Sequence, residues 1–420
     1  MAVSIAEIII LGLLADWLFR QFRLPGLIGI LLVGVLLGPH LLGYLDPGLL
    51  AIGSDLRLIA LIVILLRAGF ELSRRTLHQV GTRALLLSFI PALAEGAAIT
   101  LAGPQLLGLT TMESAILGSV LAAVSPAVVV PMMLRFNTRR MGAEKGIPTM
   151  IIAASSGEDV FAIVVFGVLI GLHTVQQARI GWTLAGIPVS IALGVLAGLG
   201  CGVLLYRLFD RFNPRATKRV LVIIALVILL VRAERLLEAW MPFTALAAAM
   251  AIGFVLLEKR EPMAHEISAK LAKIWVFAEI ILFALVGAQV NLPMVWRAGA
   301  AGAALIGIGL AARGLGMLLC LAGSRLTLPE RLFVVVSFIP KATVQAAIGA
   351  APLMALRAAG LPAAPGELIL ALAVLSIVLT APAGAIAIAL LGERVLAVAP
   401  DSVRDAYDAA RASDPQDDAV

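Results

Sequence analysis

Residues 148–172 read PTMIIAASSGEDVFAIVVFGVLIGL, a membrane-length apolar run with two adjacent carboxylates, Glu158 and Asp159, near its middle. An acid at the centre of a spanning helix costs roughly 2.5 to 3.5 kcal/mol on insertion scales, and such residues face a bundle interior or a watery cavity and mark an ion pathway. About ten mostly apolar residues flank the pair on each side, the half-span distance, which argues against an interfacial pair that snorkels to the headgroups. Ser155 and Ser156 lie four and three residues before Asp159 and share its face of a helix. Their hydroxyls either add oxygen ligands for a dehydrated cation or bond carbonyls one turn earlier, and the sequence leaves both open.

Outward from this run, composition sets the class. Of 420 residues 61% are hydrophobic and 14% charged, and the mean hydropathy is +1.05, which no soluble domain shows. Apolar runs of the spanning length number about thirteen, so the expected fold is an all-α polytopic membrane protein. The first run begins almost at Met1 with no basic leader or small-residue cleavage site, and is expected to stay as a span. The net charge of +6 does not point to nucleic acid, because the basic residues gather in alternate connections. Arg20 with Arg23, then Arg135, Arg139, Arg140 and Lys145, then Arg207 through Arg219, and finally Arg394 with Arg404 exemplify the series. The positive-inside rule makes these loops cytoplasmic, with the N-terminus outside and the C-terminus inside. Cys201 and Cys320 fall in apolar spans and His40, His78, His173 and His265 are scattered, so neither a disulfide nor a resident metal site is expected.

Further polar residues lie deep in other spans. Glu95 sits in the fourth, and a buried lone carboxylate needs a partner. The fifth carries SPAVVVP, from Ser125 to Pro131, with interruptions expected at both Pro126 and Pro131. Such broken helices belong where they line a protein cavity, not where they face lipid. Arg313 lies mid-depth in a later span and demands a carboxylate, being charged at any physiological pH. The next span reads IPKATVQAAIGAAPL from Ile339 to Leu353 and holds Pro340, Lys341, Thr343, Gln345 and Pro352, a second broken crossing. Glu279 is a second-rank candidate for the cytoplasmic part of a pathway. Asp16 beside Arg20 and Arg23, and Glu234 and Glu238 beside Arg232 and Arg235, read as interfacial pairs.

Setting aside a Gly-rich linker helix at 180–208, the spans form two sets, a first repeat over 1–175 and a second over 218–392. The fifth member of each is proline-broken and the fourth members carry Glu95 and Arg313. An odd linker gives the sets opposite orientation, the sign of an inverted repeat with its ion site near the midplane. The expectation is that the two broken helices cross and that Glu95, Arg313, Lys341, Glu158 and Asp159 converge there. Residues 393–420 read as a short, disordered cytoplasmic tail.

SPAVVVP, SSGEDV and PKATVQAAIG, in this order, resemble the monovalent cation:proton antiporter superfamily, most closely the NHA-type sodium/proton antiporters and their Kef-like relatives. The resemblance implies a dimerisation domain and a moving core domain, a homodimer in membrane lipid, and a location in the bacterial inner (cytoplasmic) membrane. It further implies that Asp159 is the cation- and proton-binding aspartate, and that Lys341 compensates half-helix dipoles. Glu158 stands where many electrogenic members have an aspartate and electroneutral ones an asparagine, and Arg313 where some branches have lysine. No cofactor is implied; the cargo is a proton and a monovalent cation, sodium or lithium before potassium. The residues themselves suggest a cycle in which proton and cation compete for Asp159 and a neutralised site permits the crossing. Because Arg313 holds its charge, one-for-one electroneutral exchange is expected. The competing readings are an intramembrane aspartyl protease, for which a second deep aspartate and a GxGD context are missing, and a potassium/proton antiporter or cation channel.

Overall fold

An apolar chain must pair its backbone groups within itself, and in a bilayer the open-chain solution is the helix. A computed structural model describes the backbone over residues 1–22, 25–71, 74–174, 180–237 and 244–398, and their side chains except at 71–81, 156, 160, 172, 174, 180–188, 191, 235, 292 and 297. The tail expected to be disordered and Glu238 lie outside these residues. Regular structure among the described residues is helical apart from one isolated bridge between Met141 and Val398. In chain order the first helices are α1 (Ala2–Gln21), α2 (Gly26–Leu37), α3 (Pro47–Ala51), α4 (Gly53–Glu71), α5 (Arg74–Leu107), α6 (Thr111–Leu121), α7 (Pro126–Thr138), α8 (Ile147–Thr174) and α9 (Ile180–Phe212). They are followed by α10 (Ala216–Leu237), α11 (Ala245–Lys259), α12 (Glu261–Ala288), α13 (Leu292–Cys320), α14 (Leu328–Ser337), α15 (Thr343–Ile348), α16 (Ala351–Ala358) and α17 (Ala364–Val395). Eight helices of the described residues are long and apolar enough to cross a membrane.

Both crossings that contain the proline motifs start alike. Thr110 with Glu113 opens α6, and Thr327 with Glu330 opens α14, each as a reciprocal capping box that satisfies two orphan amides. Each helix then stops in mid-crossing. Proline disfavours helical geometry in the residue before it; Ser125, extended at φ −101° and ψ 105°, precedes Pro126, which takes the first position of α7. The second break spans 338–342 around Pro340. One expectation needs correction. Pro131 does not interrupt its crossing: α7 runs through it, giving up only one intrahelical donor. The second crossing falls into three helical pieces, because Pro352 starts α16 as a separate helix after a turn at 349–350.

The helices sort into two bundles, each drawing on both halves of the chain. One combines α5–α8 with α13–α17, and the other combines α1–α4 with α9–α12. Inside the second bundle backbones touch at small residues. A Cβ on Gly34 would lie 2.0 Å from the Ala284 carbonyl oxygen, and one on Gly287 2.1 Å from that of Leu31, so α2 and α12 approach as closely as helices can. Gly194 and Gly198 of α9 meet the Thr244 and Ala248 carbonyls on α11 in the same way, at 2.4 Å each. Among the described residues no glycine approach of this kind links the two bundles. They meet where α15 packs on α4 and α12, and where α8 touches α4, α9 and α11.

Candidate functional site

The centre of the first bundle holds a set of charges that the packing of α5 on α13 brings together. Glu95, Glu158, Arg313 and Lys341 are each at most 1% exposed. Arg313 donates from Nη1 to Glu95 Oε2 at 2.5 Å and from Nη2 to Glu158 Oε2. Lys341 Nζ donates to Glu95 Oε2 at 2.8 Å. The two carboxylates, guanidinium and ammonium form one chain of contacts whose formal charges cancel, which is the condition for burying ions at tolerable cost. The Arg313 guanidinium also stands 5.7 Å from the centre of the Phe338 ring.

The same groups close the breaks in the helices. The Ser125 amide donates to the Pro340 carbonyl at 2.8 Å, so the extended segments of the two crossings meet. Gln345 Nε2 donates to the carbonyls of Val120 and Ala123 at 3.1 and 2.8 Å, and Arg313 Nη1 to that of Ala122 at 2.5 Å. Carbonyls left open by the end of α6 are thereby satisfied from the second half of the chain. The Lys341 amide donates to Thr380 Oγ1 at 2.9 Å on α17. Lys341 therefore bonds the Glu95 carboxylate directly, a contact that motif reading passed over. Thr380 had no sequence signal beyond lying in an apolar span.

Asp159 stands apart from this set. Successive helical residues point about 100° apart, so while Glu158 turns into the bundle centre, Asp159 faces a cavity of about 950 Å³ between the bundles. It is 4% exposed, and its Oδ1 has no hydrogen-bond partner among the described residues. Pro126 and Ala127 at the N-terminus of α7, and Thr343 of α15, line the same cavity. The positive end of the α7 dipole thus lies on the wall that Asp159 faces. Thr343 Oγ1 and Ser125 Oγ are buried and likewise unpartnered among the described residues. Ser155 settles for its local option: its hydroxyl donates to the Ile152 carbonyl at 2.9 Å. The side chain of Ser156 lies outside the described residues.

Glu279 of α12 also lines the cavity, with Arg20, Arg67 and Arg135. Arg20 is paired with Asp16 at 2.8 Å, as an interfacial pair should be, and Arg67 lies 6.0 Å from the centre of the Trp275 ring. Glu234 Oε2 accepts from the Ala245 amide at 3.0 Å, capping α11, while the side chain of Arg235 lies outside the described residues. No group of three or more potential metal-ligating side chains occurs among the described residues.

Residues 8–393 match the family described as sodium/hydrogen exchanger, transmembrane. The chain belongs to that family. The human sodium/hydrogen exchanger 9B2 is 33% identical over 348 residues, which are 82% of this chain and 64% of that protein. The human sodium/hydrogen exchanger 9B1 is 28% identical over 354 residues, 82% of this chain and 67% of that protein. The chain thus spans about two thirds of the length of these relatives. The structure of the sodium proton antiporter MjNhaP1 from Methanocaldococcus jannaschii superposes with a TM-score of 0.80 over 93% of this chain and 97% of that one, at 20% identity, so the exchanger fold is shared.

Proposed function

We propose that the protein is a secondary active antiporter that exchanges a monovalent cation for protons, the two competing for the Asp159 carboxylate as the bundles alternate in access. The observation that carries this is the division of the buried charges. Four cancel among themselves inside the first bundle, while Asp159 lines the cavity with an oxygen that has no hydrogen-bond partner among the described residues. Glu95, Arg313 and Lys341 hold the crossing together, and Glu158 fixes Arg313 from the adjacent helix. Thr343 and Pro126 shape the cavity wall near Asp159, and Ser125 ties the two breaks together through its amide. Pro340 and Gln345 set the second crossing, and Ser155 serves the helix backbone.

The paired capping boxes and the even split of each bundle between the two halves support two inverted repeats joined by α9. Counting α6 with α7 and α14 with α15 and α16 as single crossings, and α3 as a connection, supports the thirteen-span reading. The cavity mouth lies beside Arg20, Arg67 and Arg135, and the positive-inside rule makes that face cytoplasmic. The first bundle is then the moving core. The second, knit by glycine contacts, is the stationary one and the dimerisation domain, with the outward apolar face of α1 toward lipid or a second copy. The cargo is sodium or lithium, with potassium the alternative.

The test is dissipation of a pH gradient in inverted vesicles on adding sodium, lithium or potassium. Wild type is expected to respond to at least one cation, and Asp159→Asn to be silent while folding normally. Equal dissipation by both would remove Asp159 as the exchange site.

A further inference from the structure

The cavity-facing residues of α4 form a stripe of Leu61, Ile64, Leu65 and Ala68. Arg57 lies one turn before Leu61 on that stripe, on the side away from the cavity mouth. It is 5% exposed, and its Nη1 has no hydrogen-bond partner among the described residues. Both Nη1 and the apolar Leu285 of α12 border Gly53, so the guanidinium lies between α4 and α12, the two helices on which α15 packs. A guanidinium keeps its charge at any physiological pH, and a buried charge left uncompensated is costly. Such a residue is at home where it is wetted or faces a carboxylate; here the side chain is buried, and among the described residues its Nη1 has no hydrogen bond and no carboxylate pairs with it.

We propose that Arg57 is a positioning charge for the far side of the exchange cycle. When the bundles shift and the closed end of their junction opens, Arg57 is hydrated and stands along the path between Asp159 and solvent on that face. Its charge there lowers the hold of Asp159 on a cation, promoting release on the far side without changing affinity on the mouth side. The proposal rests on the alternating-access reading above and adds a difference between the two faces that the reading does not contain.

The experiment uses the full chain in proteoliposomes of defined orientation, with the sodium dependence of proton flux, or that of whichever cation wild type answers to, measured at each face. Arg57→Leu is expected to lower KM on the far face by about threefold to tenfold, the order of the Coulomb effect of one nearby charge in a partly wet site. KM on the mouth face stays unchanged, and Arg57→Lys keeps the wild-type difference between the faces. A residue that merely stabilised the fold would alter both faces or the amount of active protein. Equal shifts on both faces, no shift on either, or Arg57→Lys behaving as Arg57→Leu would overturn the proposal. Should Arg57→Leu not fold, Arg57→Gln must show the same far-face shift. A wild type without cation-coupled flux would overturn the antiport reading instead.

Discussion

Glu95 is the residue on which both cations of the first bundle's charge cluster lean, with Arg313 at 2.5 Å and Lys341 at 2.8 Å. Glu95→Ala leaves two positive charges facing Glu158 alone, and breaking a buried pair in this way costs about 3 to 5 kcal/mol. The expected result is a sharp fall in folded yield and in melting temperature in detergent; normal values would mean that the ions are not held as described. Pairing Glu95→Leu with Lys341→Met restores charge balance and should recover much of that loss. The need for such a pairing was readable in the sequence, because an arginine at mid-depth cannot shed its charge and Glu95 lay in the corresponding span. That Lys341 also reaches Glu95 was not readable. It depends on how far each helix is turned about its axis, which no spacing encodes.

Among the helices, the connection after α7 is fastened to the start of α14 by Lys145, whose Nζ donates to both oxygens of Glu330 at 2.8 Å. Burial pushes the Glu330 carboxyl up, but the Lys145 ammonium and the Thr327 amide and hydroxyl outweigh it and hold the carboxyl below its ordinary value. A lowered carboxylate contributes stability above its unfolded pKa and loses it as pH falls through the folded one. Lys145→Met should therefore melt below wild type at neutral pH, and the gap should close as the buffer is taken below the glutamate range. A gap independent of pH would assign the loss to packing. The breaks themselves were legible from proline, since Pro126 and Pro340 each disfavour a helical conformation in the residue before them. Pro131 misled because a helix supported by neighbours can absorb a missing donor, and Ala127, whose carbonyl loses it, lines the cavity.

The whole molecule pairs a bundle whose backbones touch at Gly34, Gly194, Gly198 and Gly287 with one built around charges, and among the described residues the junction between them has no such approach. That contrast suits rigid bodies moving past each other. With the four inner charges cancelling, the loaded site crosses neutral whether it carries a proton or a cation. The prediction is one-for-one exchange, with no transport current in proteoliposomes at zero imposed potential; a sustained current would mean that Glu158 or Lys341 exchanges protons as well. The sorting into bundles was only partly legible, because which apolar faces meet is decided by glycine positions too frequent in this chain to single out. The cross-bracing of the broken helices bears on biosynthesis. The carbonyls that end α6 and the carboxylate of Glu95 wait for partners that lie 191 to 246 residues downstream. The first half must therefore emerge from the insertion machinery with its central crossing unfinished, shielded until the second half arrives. Severed in the 213–215 connection and made as two chains, each part should be degraded alone and accumulate only when both are synthesised together.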